Sequence, residues 1–303
     1  FYPVSGGQMH DLGAIEGSKV IDVFKQGSLI VHKLDDSAKI KVGENVNCKV
    51  DFERRKQLTQ HHTATHIVNA AARRILGEHI NQAGAKKDVD KAYLDVTHYQ
   101  LISEEELKKI EEEANKITRT KIPVSKELIP RNDAEKKYGM HIYQGGAVPG
   151  KEIRIVSIHL VETEACGGTH LNDTSEAEKI KILKASKIKD GVVRIFFLAG
   201  KAAREFEGKK QKMEEEIASE LGVKVDEIPS RAQELFELWK TARKAVGKKQ
   251  KIEIVQLSKK EKYSGDVLVK TAEILNTQQE YILKSIQRFK NEIDSFREEM
   301  SKF

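Results

Sequence analysis

A chain of 303 residues has room for two or three domains and a sizeable core. Charged residues make up 33% and hydrophobic ones 39%, and no run approaches the roughly 18–20 uncharged apolar residues of a membrane span, which excludes an integral helical membrane protein. Two cysteines, Cys48 and Cys166, exclude a disulfide framework, and 53 Lys and Arg against 47 Asp and Glu leave a net charge of +6, which permits a polyanionic partner without requiring one.

The chain opens FYPVSGGQ, with no Met and an immediate glycine turn, so it reads as a fragment of a longer protein. Residues 1–53 hold short β-branched or alternating runs at 20–24, 28–32 and 47–52, split by Gly17, Gly27 and Gly43; this predicts a small β-barrel or sheet. From Arg54 the period becomes helical, and Leu58, His62, His66 and Asn69 share one face of a helix over 54–76. Strands follow at 93–96, 122–129, 154–162, 179–183 and 191–198, with a helix launched by the N-cap Ser103 and running to about 118. Residues 54–200 therefore read as an α+β domain. Beyond Gly200 the composition turns to Lys, Glu, Gln and Ala, predicting a mainly helical domain over 201–303 with helices at 201–221 and 233–246 and a short strand at 252–256. From Leu268 to Phe303 apolar positions recur at steps of four and three, the seam of a coiled coil or of a long helix packed on its own neighbours. The two preceding helices look too short and charged to cover so long a stripe, so a homodimer through 268–303 is expected.

The strongest chemical signal is a pair of pairs. His62 and His66 in HHTATHIV stand four apart on one helix face, spaced for one metal ion. A hundred residues on, Cys166 and His170 in EACGGTHL offer a thiolate and a further imidazole. Either pair alone is weak; together they form a three-histidine, one-cysteine set suited to zinc. Thr63 follows the first histidine, so the motif lacks the glutamate base of an HExxH peptidase. A Cys166 nucleophile with His170 as its base is the alternative, disfavoured because no orienting Asn or Asp is evident.

HTATH at 62–66, CGGTH at 166–170, SGGQ at 5–8 and IYQGGAVPG at 142–150 together resemble the editing half of alanyl-tRNA synthetase in its archaeal form. The resemblance is close over about 1–200, and the remainder looks like that family's dimerisation segment. It implies zinc-dependent hydrolysis of the ester of Ser-tRNA(Ala) and Gly-tRNA(Ala) in the cytoplasm, acting on the tRNA acceptor end, with no ATP-dependent ligase core in this chain. It also implies His62, His66, Cys166 and His170 as zinc ligands, Gly6, Gly7 and Gln8 as part of a serine-recognising turn, and Gln82 and Arg194 as pocket residues. Phe196 stands where the family usually carries a glutamate, so that acid's role is absent. Thr63 and Thr65 flank the ligands, as groups that hydrogen-bond substrate or cap the helix face. Arg54, Arg55, Lys56, Arg73 and Arg74 lie along the ligand helix, where positive charge would guide a phosphate backbone. Two other readings share these residues: a free-standing editing protein, and a tRNA-binding, dimerising module whose zinc is purely structural.

Overall fold

The computed structural model describes residues 1–303 apart from Ser37, Gly145, Ala147 and Phe303. Gly145 and Ala147 of the IYQGGAVPG motif, and Phe303 at the end of the seam, thus lie outside the described residues. The chain divides into two compact units, Phe1–Glu205 and Phe206–Phe303.

The first unit opens with β1 (Gly13–Ile15), β2 (Ser18–Gln26), β3 (Leu29–Leu34) and β4 (Cys48–Val50), an antiparallel sheet ordered β3-β2-β1-β4. Among the described residues this sheet stays open, so of the expected small β-barrel or sheet it is the sheet that forms, with four strands and no closure. Its apolar contribution is small: Ile15, Val20 and Val23 pack with Phe1 and Leu34.

Helix α1 (Phe52–Leu76) begins at Asp51, whose carboxylate accepts from the Arg54 N–H at 3.1 Å. Residues 57–72 are buried all round, as for a helix running through a domain centre. Its buried polar side chains therefore need internal partners. Gln57 Nε2 donates to the Ala199 carbonyl at 3.0 Å, Gln60 Nε2 to that of Glu176 at 2.9 Å, and His61 Nδ1 lies 2.6 Å from that of Asp88. Around α1 follow β5 (Gln82–Lys87), β6 (Ala92–Thr97), α2 (Glu104–Arg119), β7 (Val124–Pro130), α3 (Arg131–Tyr138), β8 (Glu152–Ile158), β9 (Glu162–Ala165), β10 (Ile180–Lys189) and β11 (Val192–Ala199). They form two further antiparallel sheets, ordered β10-β11-β6-β5 and β7-β8-β9. Ser103 and Glu106 close a reciprocal capping box at the start of α2. Ala64, Ile67, Val68 and Ala71 of α1 meet Leu94, Val96, Ile195 and Phe197 of the four-stranded sheet and Ile110 and Ala114 of α2 in one core.

This confirms the α+β class, with three differences in detail. The alternating run 154–162 is two strands of a hairpin, turned at Leu160 with φ 57°. Strands β1 and β5 and helix α3 carry no strong sequence signal. The strand expected at 252–256 is a loop whose Ile254 packs on the helical core, with no pairing strand among the described residues.

The second unit is helical. The later part of α4 (Gly200–Leu221) is followed by α5 (Ile228–Gly247), α6 (Val267–Leu275) and α7 (Ile282–Met300). The apolar stripe exists, but the continuous seam is a misreading. Asn276 takes the left-handed conformation (φ 49°) and ends α6, and a second helix starts at Ile282. Leu268, Leu275, Ile282, Ile286, Phe289 and Ile293 are buried within the same chain, against Leu235 and Phe236 of α5 and Ile217 and Leu221 of α4. Trp239 stacks on Phe236 and meets Phe289 at 4.6 Å between ring centroids. Its indole N–H donates to Glu292 at 2.6 Å. The short helices cover the stripe after all, which removes the ground for a homodimer through 268–303. No helix among the described residues is long and apolar enough to cross a membrane.

Candidate metal centre

Two elements build the site. Four residues apart on buried α1, His62 and His66 face the same way one turn apart. The loop leaving β9 supplies Cys166 and His170, and Arg154 on β8 holds it by donating from one guanidinium nitrogen to the carbonyls of Cys166 at 2.7 Å and Gly168 at 2.9 Å. One donor atom from each of the four lies within 4.8 Å of all the others. Cys166 Sγ is 3.3 Å from both His62 Nε2 and His170 Nε2. A tetrahedral ion with bonds of about 2.0–2.3 Å holds its ligand atoms roughly 3.3–3.8 Å apart, so the two Cys166 distances match a zinc site, and three nitrogens with one sulfur are a donor set that suits zinc. His66 Nδ1 is buried with no hydrogen-bond partner among the described residues, a cost that ligation at that nitrogen would remove.

Burial governs the electrostatics. It pushes His62 and His170 well below the usual imidazole range and His66 down to about 3, so the rings are neutral, as metal ligands must be. Burial also pushes the Cys166 thiol up, opposed by the Gly168 N–H. Glu164, pushed up to about 8 by burial and by Glu162, lies 3.3 Å from His66 Nε2. Asn69 and Arg73 stand behind these two acids, with Arg73 2.8 Å from Glu162.

Hydrogen bonds hold the rings from behind. His62 Nδ1 lies 2.7 Å from Gln8 Oε1, and His170 Nδ1 lies 3.1 Å from Thr63 Oγ1, which also accepts from Leu171 N–H at 3.1 Å. Thr65 spends its hydroxyl on the His61 carbonyl at 2.8 Å. Gly6 and Gly7 both have positive φ, 55° and 73°. A Cβ on Gly7 would overlap the Ala85 carbonyl oxygen, whereas Gly6 faces open space. Gln82 opens β5, where its N–H donates to Gln144 Oε1 at 2.8 Å. Arg194 is committed to Asp95 through two bonds of 2.7 and 2.9 Å and lies over the Tyr93 ring. Among the described residues neither Gln82 nor Arg194 is hydrogen-bonded to a ligand.

Several of the basic residues are already engaged. Arg55 forks onto the buried Asp11, Arg73 pairs with Glu162 and Arg74 with Glu113. Arg54 donates to the His10 carbonyl, and Lys56, about half exposed, has its nearest acid 4.0 Å away. Sequence reasoning missed Glu162, Glu164 and Lys87. Lys87 is 2% exposed, with Nζ donating to the Gly6 carbonyl at 3.0 Å. The usable signal was two acids at alternate positions of a strand running into CGGTH, since both face inward.

Two glycines of CGGTH differ in a testable way. A Cβ on Gly168 would overlap the His62 ring, while one on Gly167 meets nothing within 4 Å. Gly168→Ala is expected to displace His62 and lower zinc affinity by about 10–100-fold, with Gly167→Ala close to wild type. Chelator competition measures both. Equal affinities would separate the loop from the centre.

Against known proteins, residues 153–196 match the family described as the threonyl and alanyl tRNA synthetase second additional domain, which includes the loop carrying Cys166 and His170. The relatives are more particular. Alanine–tRNA ligase of Methanococcus maripaludis strain C7 is 44% identical over 251 residues, 83% of this chain and 28% of that protein. The same enzyme of Nitrosopumilus maritimus is 48% identical over 225 residues, 73% of this chain and 25% of that protein. That of Pyrococcus abyssi is 43% identical over 255 residues, 83% of this chain and 28% of that protein. The resemblance read from the motifs therefore holds: over most of its length the chain is similar to one segment of archaeal alanine–tRNA ligases, and it spans about a quarter of their length.

Proposed function

We propose that this chain carries the proofreading activity of an alanyl-tRNA synthetase, hydrolysing the ester of Ser-tRNA(Ala) and Gly-tRNA(Ala). The observation that carries the reading is the meeting of three buried histidines, His62, His66 and His170, with the half-buried Cys166 in one cluster beneath the SGGQ turn. Such an activity answers a physical need. A pocket sized for alanine rejects an added hydroxyl poorly and excludes glycine weakly, so errors must be removed at a second site. Zinc, when bound there, supplies a Lewis acid for an ester carbonyl. The protein's part is to hold the ligand rings, through Gln8 and Thr63, and to bring substrate to them. Of the two glycines, Gly6 is the one left open to a substrate, since close approach to Ala85 already requires Gly7 to lack a side chain. Arg54 and Lys56 are the cations on α1 best placed to meet a phosphate backbone, the others being tied to carboxylates. The parent protein is either a synthetase or a free-standing editor, and both use this chemistry.

Metal analysis with a deacylation assay on Ser-, Gly- and Ala-tRNA(Ala) tests the proposal. Zinc near one per chain, and loss of the seryl and glycyl esters ahead of the alanyl ester, is the expected outcome. Stable esters in the presence of a zinc-loaded protein would refute catalysis.

A second reading has its own observation. Four protein ligands describe a closed, structural zinc, whereas catalytic zinc keeps an open position. On that reading the chain binds tRNA and the ion only stiffens the fold.

A further inference from the structure

The geometry points to Gln8 as a positioning residue: its side-chain amide fixes the tautomer of His62, placing the proton on Nδ1 and leaving Nε2 bare toward the other ligands. This rests on the metal reading above. Gln8 reaches the centre from the N-terminal segment, 54 residues from His62 in sequence, and is fully buried. Its Oε1 lies 3.1 Å from the Thr169 backbone nitrogen and 2.7 Å from His62 Nδ1.

A backbone N–H only donates, so the amide atom facing Thr169 N is the oxygen, and the flipped amide would set donor against donor. His62 Nδ1 faces that same oxygen and must donate to it. A neutral imidazole carries one proton, so Nε2 is the acceptor, and Nε2 is the atom 3.3 Å from Cys166 Sγ. The amide nitrogen then donates to Thr169 Oγ1 at 2.9 Å; that hydroxyl, also 3.2 Å from Gln8 Oε1, is 2.7 Å from Thr59 Oγ1.

The turn bearing Gln8 is fastened along β5. The Lys87 N–H donates to the Gly7 carbonyl at 2.7 Å, the Met9 N–H to the Lys87 carbonyl at 3.1 Å, and Lys87 Nζ to the Gly6 carbonyl at 3.0 Å. Metal-binding histidines typically donate their second ring nitrogen to a fixed acceptor, and losing that partner weakens metal binding. Here the acceptor comes from the SGGQ turn. The motif that sequence resemblance gives to the substrate thus divides its work, with Gly6 toward the substrate and Gln8 toward the ion.

Two measurements on the full chain test this. Long-range imidazole nitrogen spectra of the metal-free protein should show His62 protonated at Nδ1; a proton on Nε2 overturns the assignment. In competition with a chromophoric chelator, Gln8→Leu should lower zinc affinity about 10–100-fold. Gln8→Glu keeps an acceptor for both His62 Nδ1 and Thr169 N and should recover most of that affinity. A folded Gln8→Leu protein with wild-type affinity, or a Gln8→Glu protein as weak as Gln8→Leu, also overturns it. Should Gln8→Leu not fold, the wild-type tautomer decides alone. A wild-type chain that takes up no zinc sinks the metal reading itself, and is recognised separately because the tautomer is read without metal.

Discussion

Cys166→Ala is expected to leave the first unit folded while removing zinc and cutting deacylation of Ser-tRNA(Ala) by more than about 100-fold. The expectation that the fold survives comes from how the loop is held. The Cys166 N–H donates to the Arg154 carbonyl at 2.9 Å, and Arg154 returns two bonds to the Cys166 and Gly168 carbonyls, none of which uses the thiol. The Ile67, Leu94, Ile110 and Phe197 core is likewise assembled without it. Removing one half-buried sulfur costs about 1 kcal/mol of burial, small against the stability of an ordinary domain. Circular dichroism, bound-metal analysis and ester hydrolysis together read the outcome. A folded, zinc-free and inactive variant supports a centre that serves catalysis. Unfolding would move the ion to a structural role and favour the second reading, and a folded, active variant would take the reaction away from these four residues.

The candidate cluster of His62, His66, Cys166 and His170 was legible because its chemistry survives in one dimension. An i, i+4 histidine pair needs only a helix to converge, and α1 supplies it. What surrounds them was not legible, because the partners lie far off in sequence: Gln8 with Thr169 spans 161 residues and Thr63 with His170 spans 107. Lys87 looks like half of a solvated lysine pair until β5 turns it inward. The hairpin of β8 and β9 was hidden for a local reason. Its turn puts Leu160, exposed and with φ 57°, where a glycine would have announced the reversal. Asn276 hid the end of α6 differently, since the spacing of four and three continues unbroken across it while the backbone does not.

That break changes what a charge on the α7 stripe should do. Were the stripe a dimer seam, Ile286→Asp together with Ile293→Asp would yield soluble, folded monomers. In this chain Ile286 is 0% exposed and Ile293 5%, and both pack among Leu235, Phe236 and Phe289 inside the helical unit. Each substitution removes an apolar side chain worth about 1.5–3 kcal/mol and leaves a carboxylate with no partner in the apolar site. Ile286→Asp alone is expected to cost more than about 4 kcal/mol, enough to unfold a unit of ordinary stability. Hydrogen exchange read along the chain is the discriminating measurement. Protection should vanish across about 206–302 and persist in α1, β6 and β11, where the first unit has a separate core. A variant that keeps native protection throughout while its mass in light scattering halves would restore the seam to a second copy and refute burial within the chain.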